Sequence, residues 1–92
     1  MKTSVIFRTD ENGECLAVFP YEIADRQGNC TCYANLGQHS ACSYDYVLKE
    51  TKPCKNYSDL KSELERIGYN LEVITRRDYD EYLKAFYLIL NK

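Results

Sequence analysis

An Asn-Gly pair between two strand-like segments constrains the fold more than any other feature of this chain. Residues 3–9 and 14–19 are rich in β-branched and aromatic side chains, and Asn12-Gly13 lies between them. Asn-Gly strongly favours a two-residue hairpin loop, because a type I′ turn needs positive φ at both central residues. We therefore predict an antiparallel hairpin in the first part of the chain.

The length of the loop decides which side chains share a face of this hairpin. A two-residue loop would place Glu11 opposite Glu14, and this like-charge pair warns that the loop is longer. With the two-residue loop, one face would carry the core side chains Val5, Phe7, Leu16 and Val18, and the other face would carry Ile6, Arg8, Cys15, Ala17 and Phe19.

Strand and helix patterns follow the hairpin. Strand patterns cover residues 30–35 and 70–76, and helix patterns begin at Ser40, Asn56 and Asp78, which are residue types that favour a helix N-terminus. The resulting order β-β-β-α-α-β-α predicts an α+β domain. We expect one domain over residues 1–92, with an antiparallel sheet of about four strands and helices packed on one face.

Charge and hydropathy argue against several classes of partner. The chain has 12 Lys and Arg against 14 Asp and Glu, a formal net charge of −2. This balance provides no strong field for nucleic acid or for an anionic membrane. No apolar run approaches the roughly 20 residues that span a bilayer, and the N-terminal residues do not resemble a signal peptide. We therefore expect a cytoplasmic protein with reduced thiols and no disulfide scaffold.

Residues 30–46 contain three of the five cysteines and the only histidine. The set Cys30, Cys32, His39 and Cys42 offers four zinc-type ligands, but zinc sites usually space paired cysteines by two to four residues. On a strand, Cys30 and Cys32 would lie about 7 Å apart on one face. These four residues are weak metal candidates, and buried apolar cysteines are the favoured interpretation. A Cys42–His39 nucleophile would lack a third, orienting group, and nothing in the chain indicates a cofactor.

A Gly-Gln-His-Ser tetrapeptide precedes the first predicted helix. Backbone amides at a helix N-terminus favour anions, so this segment could bind a phosphate or carboxylate. In the alternative interpretation, the serine caps the helix and its neighbours bond to the local backbone. The candidate binding residues are Gly37, Gln38, His39 and Ser40, with Arg8 and Arg76 as possible neighbours.

Nucleic-acid binding is a third possibility. Arg8 could lie near Arg76-Arg77 on the sheet, and an exposed Tyr33 or Phe19 could stack on bases. The acidic balance and the absence of a basic stripe make nucleic acid an unfavoured partner.

Five segments resemble a small family of bacterial proteins from gut-type bacteria and their mobile elements. The resemblance implies one intact domain over about residues 5–77 and draws attention to the Gly-Gln-His-Ser segment. It implies no catalytic role. The segments are Val5-Ile6-Phe7-Arg8, Ala17-Val18-Phe19-Pro20, Gly37-Gln38-His39-Ser40, Thr51-Lys52-Pro53 and Ile67-Gly68-Tyr69-Asn70-Leu71.

The tyrosine content suggests a function. The chain has nine tyrosines and no tryptophan, and tyrosine is enriched in contact surfaces. No catalytic constellation is complete, so we predict a non-enzymatic module that binds a protein partner or itself. One thin core cannot accommodate all of five tyrosines, namely Tyr21, Tyr33, Tyr46, Tyr79 and Tyr87. The alternative is a small-ligand, anion or metal site around residues 37–40.

Overall fold

The computed structural model describes residues 2–34 and 38–92, except the side chain of Gln38. The described residues form six strands and three helices, which confirms the α+β class. The strands are β1 (Thr3–Thr9), β2 (Cys15–Ile23), β3 (Cys30–Ala34), β4 (Gln38–Cys42), β5 (Lys52–Pro53) and β6 (Leu71–Val73). The helices are α1 (Tyr44–Glu50), α2 (Ser58–Arg66) and α3 (Tyr79–Leu90).

The sheet is built around β1. Its strand order is β4-β3-β2-β1-β5, and β6 also pairs with β1. β5 is antiparallel to the C-terminal end of β1, whereas β6 is parallel to its N-terminal half. The sheet is therefore larger than the four strands we predicted, and one of its pairings is parallel.

The hairpin between β1 and β2 exists, but its loop is one residue longer than Asn-Gly alone implies. Asp10 and Glu14 close the loop, and the Gly13 N–H donates to the Asp10 carbonyl oxygen at 3.0 Å. The Asp10 carboxylate accepts the backbone N–H groups of Asn12 and Glu14 at 2.9 and 3.0 Å. Only Gly13 in this loop has positive φ, at 81°. These hydrogen bonds favour a type I turn followed by a left-handed glycine over the type I′ turn.

This extra residue shifts the register by one. Phe7 lies opposite Ala17, and Ile6 lies opposite Val18. A one-residue shift moves every side chain of a strand to the other face of its partner. Our predicted core face was therefore wrong for β2, because Val5 and Phe7 share their face with Ala17 and Phe19.

The helices cover both faces of the sheet, not one. Consecutive residues Val5, Ile6 and Phe7 are all buried, so each face needs apolar cover. On the first face, Leu60 and Leu64 of α2 pack on the cluster Val5, Phe7, Ala17, Phe19, Tyr33 and Leu71. On the second face, Tyr44, Val47 and Leu48 of α1 pack on the cluster Ile6, Val18, Cys30 and Cys32.

Helix α1 begins later than predicted. Ser40 lies in β4 and does not cap a helix; instead the Ser43 hydroxyl accepts the Tyr46 N–H at 3.4 Å. The predicted Asp78 cap is confirmed, since its carboxylate accepts the Glu81 N–H at 3.1 Å.

Helix α3 packs against β2 and is fixed through Tyr82 and Arg77. The buried Tyr82 donates its hydroxyl to the Gly28 carbonyl oxygen at 2.9 Å. The Arg77 guanidinium lies between the rings of Tyr44 and Tyr82, at 3.9 and 3.8 Å from their centroids. Arg77 thus joins α3 to α1.

Replacing Gly28 by alanine tests the contact between α3 and the β2–β3 turn. A Cβ at Gly28 would collide with the Tyr82 hydroxyl and approach Phe86 to 3.2 Å, and the residue has φ of 87°. Gly13 has a similar φ of 81° but open space around it, so Gly13→Ala is the matched control. We expect Gly13→Ala to lower the free energy of unfolding by about 1–2 kcal/mol. Gly28→Ala should cost about 1–3 kcal/mol more, because the collision adds to the strain.

Denaturant unfolding of both variants measures this difference. Equal losses in the two variants would show that α3 does not contact the turn as described.

Candidate functional site

The Gly-Gln-His-Ser segment is a strand and not a loop. Gly37 lies outside the described residues, while Gln38, His39 and Ser40 belong to β4 and pair with Ala34, Tyr33 and Cys32 of β3. Consecutive strand residues point to opposite faces. Our prediction of neighbouring donors at a helix N-terminus is therefore wrong, because no helix begins here and His39 and Ser40 face apart.

His39 lies in an aromatic group on the first face. Its Nε2 is 2.9 Å from the Tyr69 hydroxyl oxygen, and its ring meets the edge of Tyr33 at 4.8 Å between centroids. Burial raises the pKa of Tyr69, and the negative charge of Glu22 raises it further. The exposed His39 borders a shallow concavity of about 530 Å³ that also includes Glu22 and Thr31. This arrangement places hydrogen-bonding groups on the first face of the sheet.

Arg8 and Arg76 do not join this group. The Arg8 guanidinium donates to the carbonyl oxygens of Leu48 and Thr51, at 3.1 and 2.7 Å, so it satisfies the C-terminal end of α1. Arg8 and Gln38 lie in one row of the sheet, three strand spacings or about 14 Å apart. Arg76 is exposed in the connection between β6 and α3. Arg8 is therefore separated from Gln38, His39 and Ser40 of β4.

The features invoked for nucleic-acid binding are also engaged within the fold. Phe19 and Tyr33 are buried and offer no free ring to a base. Arg77 is held between two tyrosine rings.

Three cysteines meet on the second face. Cys32 and Cys42 form a disulfide, and the Cys30 sulfur lies 3.7 Å from the Cys42 sulfur. This differs from our expectation of reduced thiols, because pairing β4 with β3 brings the sulfurs of distant residues together. His39 points to the opposite face, so the four candidate metal ligands do not converge. Among the described residues, no three His, Cys, Asp or Glu side chains are grouped so that they could hold a metal ion.

Sequence reasoning missed a second pair of thiols, Cys15 and Cys54. Both line a cleft of about 410 Å³ between the hairpin loop and the start of α2. Burial raises the pKa of Cys15 to about 12, and its contact with Cys54 contributes. Burial also raises the pKa of Cys54. Hydrogen bonds from Cys15, Thr9 and the Asn56 N–H lower it by more, so the pKa of Cys54 is below its ordinary value. Cys54 is therefore the more nucleophilic thiol of the pair.

Helix α3 leaves several large apolar side chains exposed. Tyr79, Tyr87 and Leu88 are 61%, 55% and 69% exposed. An apolar groove of about 510 Å³ runs between α3 and the end of β2, lined by Tyr21, Ile23, Ala85, Leu88 and Ile89. We call these exposed residues and this groove the α3 surface.

The two ends of the α3 surface carry opposite charges. Asp80 and Glu81 lie in the first turn of α3. At the other end, Arg26 donates to the carbonyl oxygens of Ile89 and Leu90 at 3.4 and 3.3 Å, and Lys92 follows. Between these ends, the exposed Lys84 pairs with Glu81 at 3.4 Å, so the α3 surface carries charged side chains beside its apolar groove.

No protein-family model, curated protein or solved structure matches this chain. The resemblance to a small bacterial family stays a prediction. Among the described residues, no helix is long and apolar enough to cross a membrane.

Thiol labelling tests the asymmetry between Cys15 and Cys54. Below the ordinary thiol pKa of about 8.5, iodoacetamide should modify Cys54 more than about tenfold faster than Cys15, because only Cys54 carries an appreciable thiolate fraction. Both residues are half-buried, so access is comparable. Mass spectrometry of labelled peptides gives the two rates.

The variant Cys15→Ala provides the control for this interaction. It removes one hydrogen bond that lowers the Cys54 pKa, so the labelling of Cys54 should shift to higher pH. Equal rates for the two thiols in the native protein would contradict the described contact.

Proposed function

We propose that this chain is a non-enzymatic interaction domain that pairs with a second copy of itself through the α3 surface. The observation that carries the proposal is Leu88, which is 69% exposed beside an apolar groove of its own helix. A large exposed apolar side chain beside an apolar groove is a feature of interaction sites. Burying a leucine side chain stabilises an association by about 1.5–3 kcal/mol.

Self-pairing is favoured because the surface offers both a projecting side chain and a groove. In a two-fold symmetric contact, Leu88 of each copy can enter the groove beside Ala85 and Tyr21 of the other copy. Such an interface uses the same patch on both subunits. A single patch on each copy is then sufficient to form the dimer.

The charges at the ends of α3 favour an antiparallel arrangement. In that arrangement, Asp80 of one copy approaches Arg26 and Lys92 of the other, while Glu81 already pairs with Lys84 of its own helix. In an antiparallel pair, the positive end of each helix dipole also lies near the negative end of the other, which is favourable. A parallel arrangement would place like charges together.

A stable dimer needs more surface than α3 alone. Helix α3 has 12 residues and is about 18 Å long. A standard interface covers roughly 800 Å² per partner, about one eighth of the 6254 Å² surface of this domain. The pairing would therefore also bury Tyr21 and Ile23, which border the groove beside α3.

We do not propose residues 37–40 as an anion or metal site. The reason is geometric, since neighbouring residues of β4 face opposite sides of the sheet and Arg8 is bonded to α1.

The variant Leu88→Glu tests the proposed pairing. A carboxylate at this position would be buried against an apolar groove, so we expect the dimer to dissociate. Sedimentation should give about twice the 10.8 kDa chain mass for the native protein, and the chain mass for the variant.

Ile67→Glu is the matched control, because Ile67 is an aliphatic residue that is 53% exposed and lies at the end of α2. This variant should remain dimeric. A monomeric native protein at high concentration, or equal behaviour of the two variants, would contradict the proposal.

A further inference from the structure

The three cysteines on the second face form a cluster that the proposed pairing does not use. The Cys32–Cys42 disulfide joins β3 to β4 diagonally, with 6.1 Å between the Cα atoms. Cys30 lies directly opposite Cys42 in the strand register. Opposed residues of antiparallel strands have Cα atoms about 4.5–5.5 Å apart, which is within the range for a disulfide. Cys42 is therefore placed to bond with either cysteine of β3.

The free thiol is already in contact with the disulfide. The Cys30 sulfur is 3.7 Å from the Cys42 sulfur. We infer that Cys30, Cys32 and Cys42 form an internal thiol–disulfide exchange site, in which the disulfide moves between Cys32–Cys42 and Cys30–Cys42.

The exchange needs no external oxidant or reductant. The Cys30 thiolate donates an electron pair to the Cys42 sulfur and forms the new S–S bond, while the Cys32–Cys42 bond breaks. The electron pair of the broken bond leaves with Cys32, which takes up the proton that Cys30 lost. One thiol and one disulfide are present before and after the step.

The surroundings of Cys30 set the pH dependence of the exchange. Burial raises the pKa of Cys30 to about 11, the positive charge of Arg77 acts in the opposite direction, and the negative charge of Asp25 raises the pKa further. Arg77 comes from the β6–α3 connection and Asp25 from the β2–β3 turn, while Tyr44 of α1 covers the same cluster. The fraction of Cys30 present as thiolate should increase about tenfold for each unit by which the pH rises, up to a pH of about 11. The exchange rate should increase by the same factor.

The exchange changes which thiol can be reached from solvent. The Cys30 side chain is fully buried, whereas Cys32 retains 7% exposure at the edge of the cluster. Movement of the disulfide to Cys30–Cys42 transfers the free thiol from the inaccessible to the more accessible position. The expected reaction partner is a small electrophile or a low-molecular-weight disulfide, because Cys32 is only 7% exposed.

Disulfide mapping of single variants in a glutathione redox buffer tests the site. Cys32→Ala should form a Cys30–Cys42 disulfide, Cys30→Ala should keep Cys32–Cys42, and Cys42→Ala should leave Cys30 and Cys32 reduced. Cys15→Ala is the control and should not alter the pattern. Circular dichroism and thermal unfolding identify any variant that loses the fold.

Slow alkylation of the native protein gives a second, independent readout that does not depend on the folding of a variant. With a small iodoacetamide reagent, the label should accumulate on Cys32, more than on Cys30, at a rate that increases about tenfold per pH unit. Free thiols at Cys30 and Cys42 in a folded Cys32→Ala protein would overturn the inference. So would labelling of Cys30 alone in the native protein.

Discussion

The burial of β1 on both of its faces is the constraint on which the rest of the structure depends. Val5, Ile6 and Phe7 are consecutive and all buried, and their side chains alternate between the two faces of the sheet. A single layer of helices would leave Ile6 exposed to water. The chain therefore divides its helices, with α2 on one face and α1 on the other. The same strand bonds to β2 on one side and to β5 and β6 on the other.

Arg77 provides the second organising contact. Its guanidinium lies between Tyr44 and Tyr82, and its backbone N–H donates to the Tyr44 hydroxyl at 2.9 Å. A cation–π contact contributes about 0.5–2 kcal/mol, more when it is buried, and Arg77 is partly buried between its two rings. Because α3 is held along one side only, its outer side stays uncovered, and this surface is the basis of the proposed pairing.

Local features of the fold were predictable from the sequence, but pairings between distant residues were not. The hairpin, the Asp78 cap and the α+β class follow from turn residues, capping residues and periodicity. The loop length depends on the Asp10 carboxylate, which accepts two backbone N–H groups and selects a different turn. Strand β4 carries polar side chains and forms because β3 is available beside it.

The candidate sites also depend on pairings between distant residues, which the sequence pattern does not reveal. Cys15 and Cys54 meet because β1 pairs with β2 and with the two-residue strand β5, and no periodic pattern reveals so short a strand. The Cys32–Cys42 disulfide likewise requires the β3–β4 register. Residues 37–40 were singled out as a predicted helix N-terminus, whereas Ser40 lies in β4. Tyr79 and Tyr87 were among the tyrosines expected to exceed one thin core, and both are exposed.

The strand register between β1 and β2 determines which side chains lie on each face of the sheet, so measuring it tests whether β1 is buried on both faces. Cross-strand nuclear Overhauser effects in solution report this register. The account predicts contacts that place Phe7 opposite Ala17 and Ile6 opposite Val18. Contacts that place Phe7 opposite Val18 would contradict it, since Val18 would then face α2 and the two-layer division of the core would be lost.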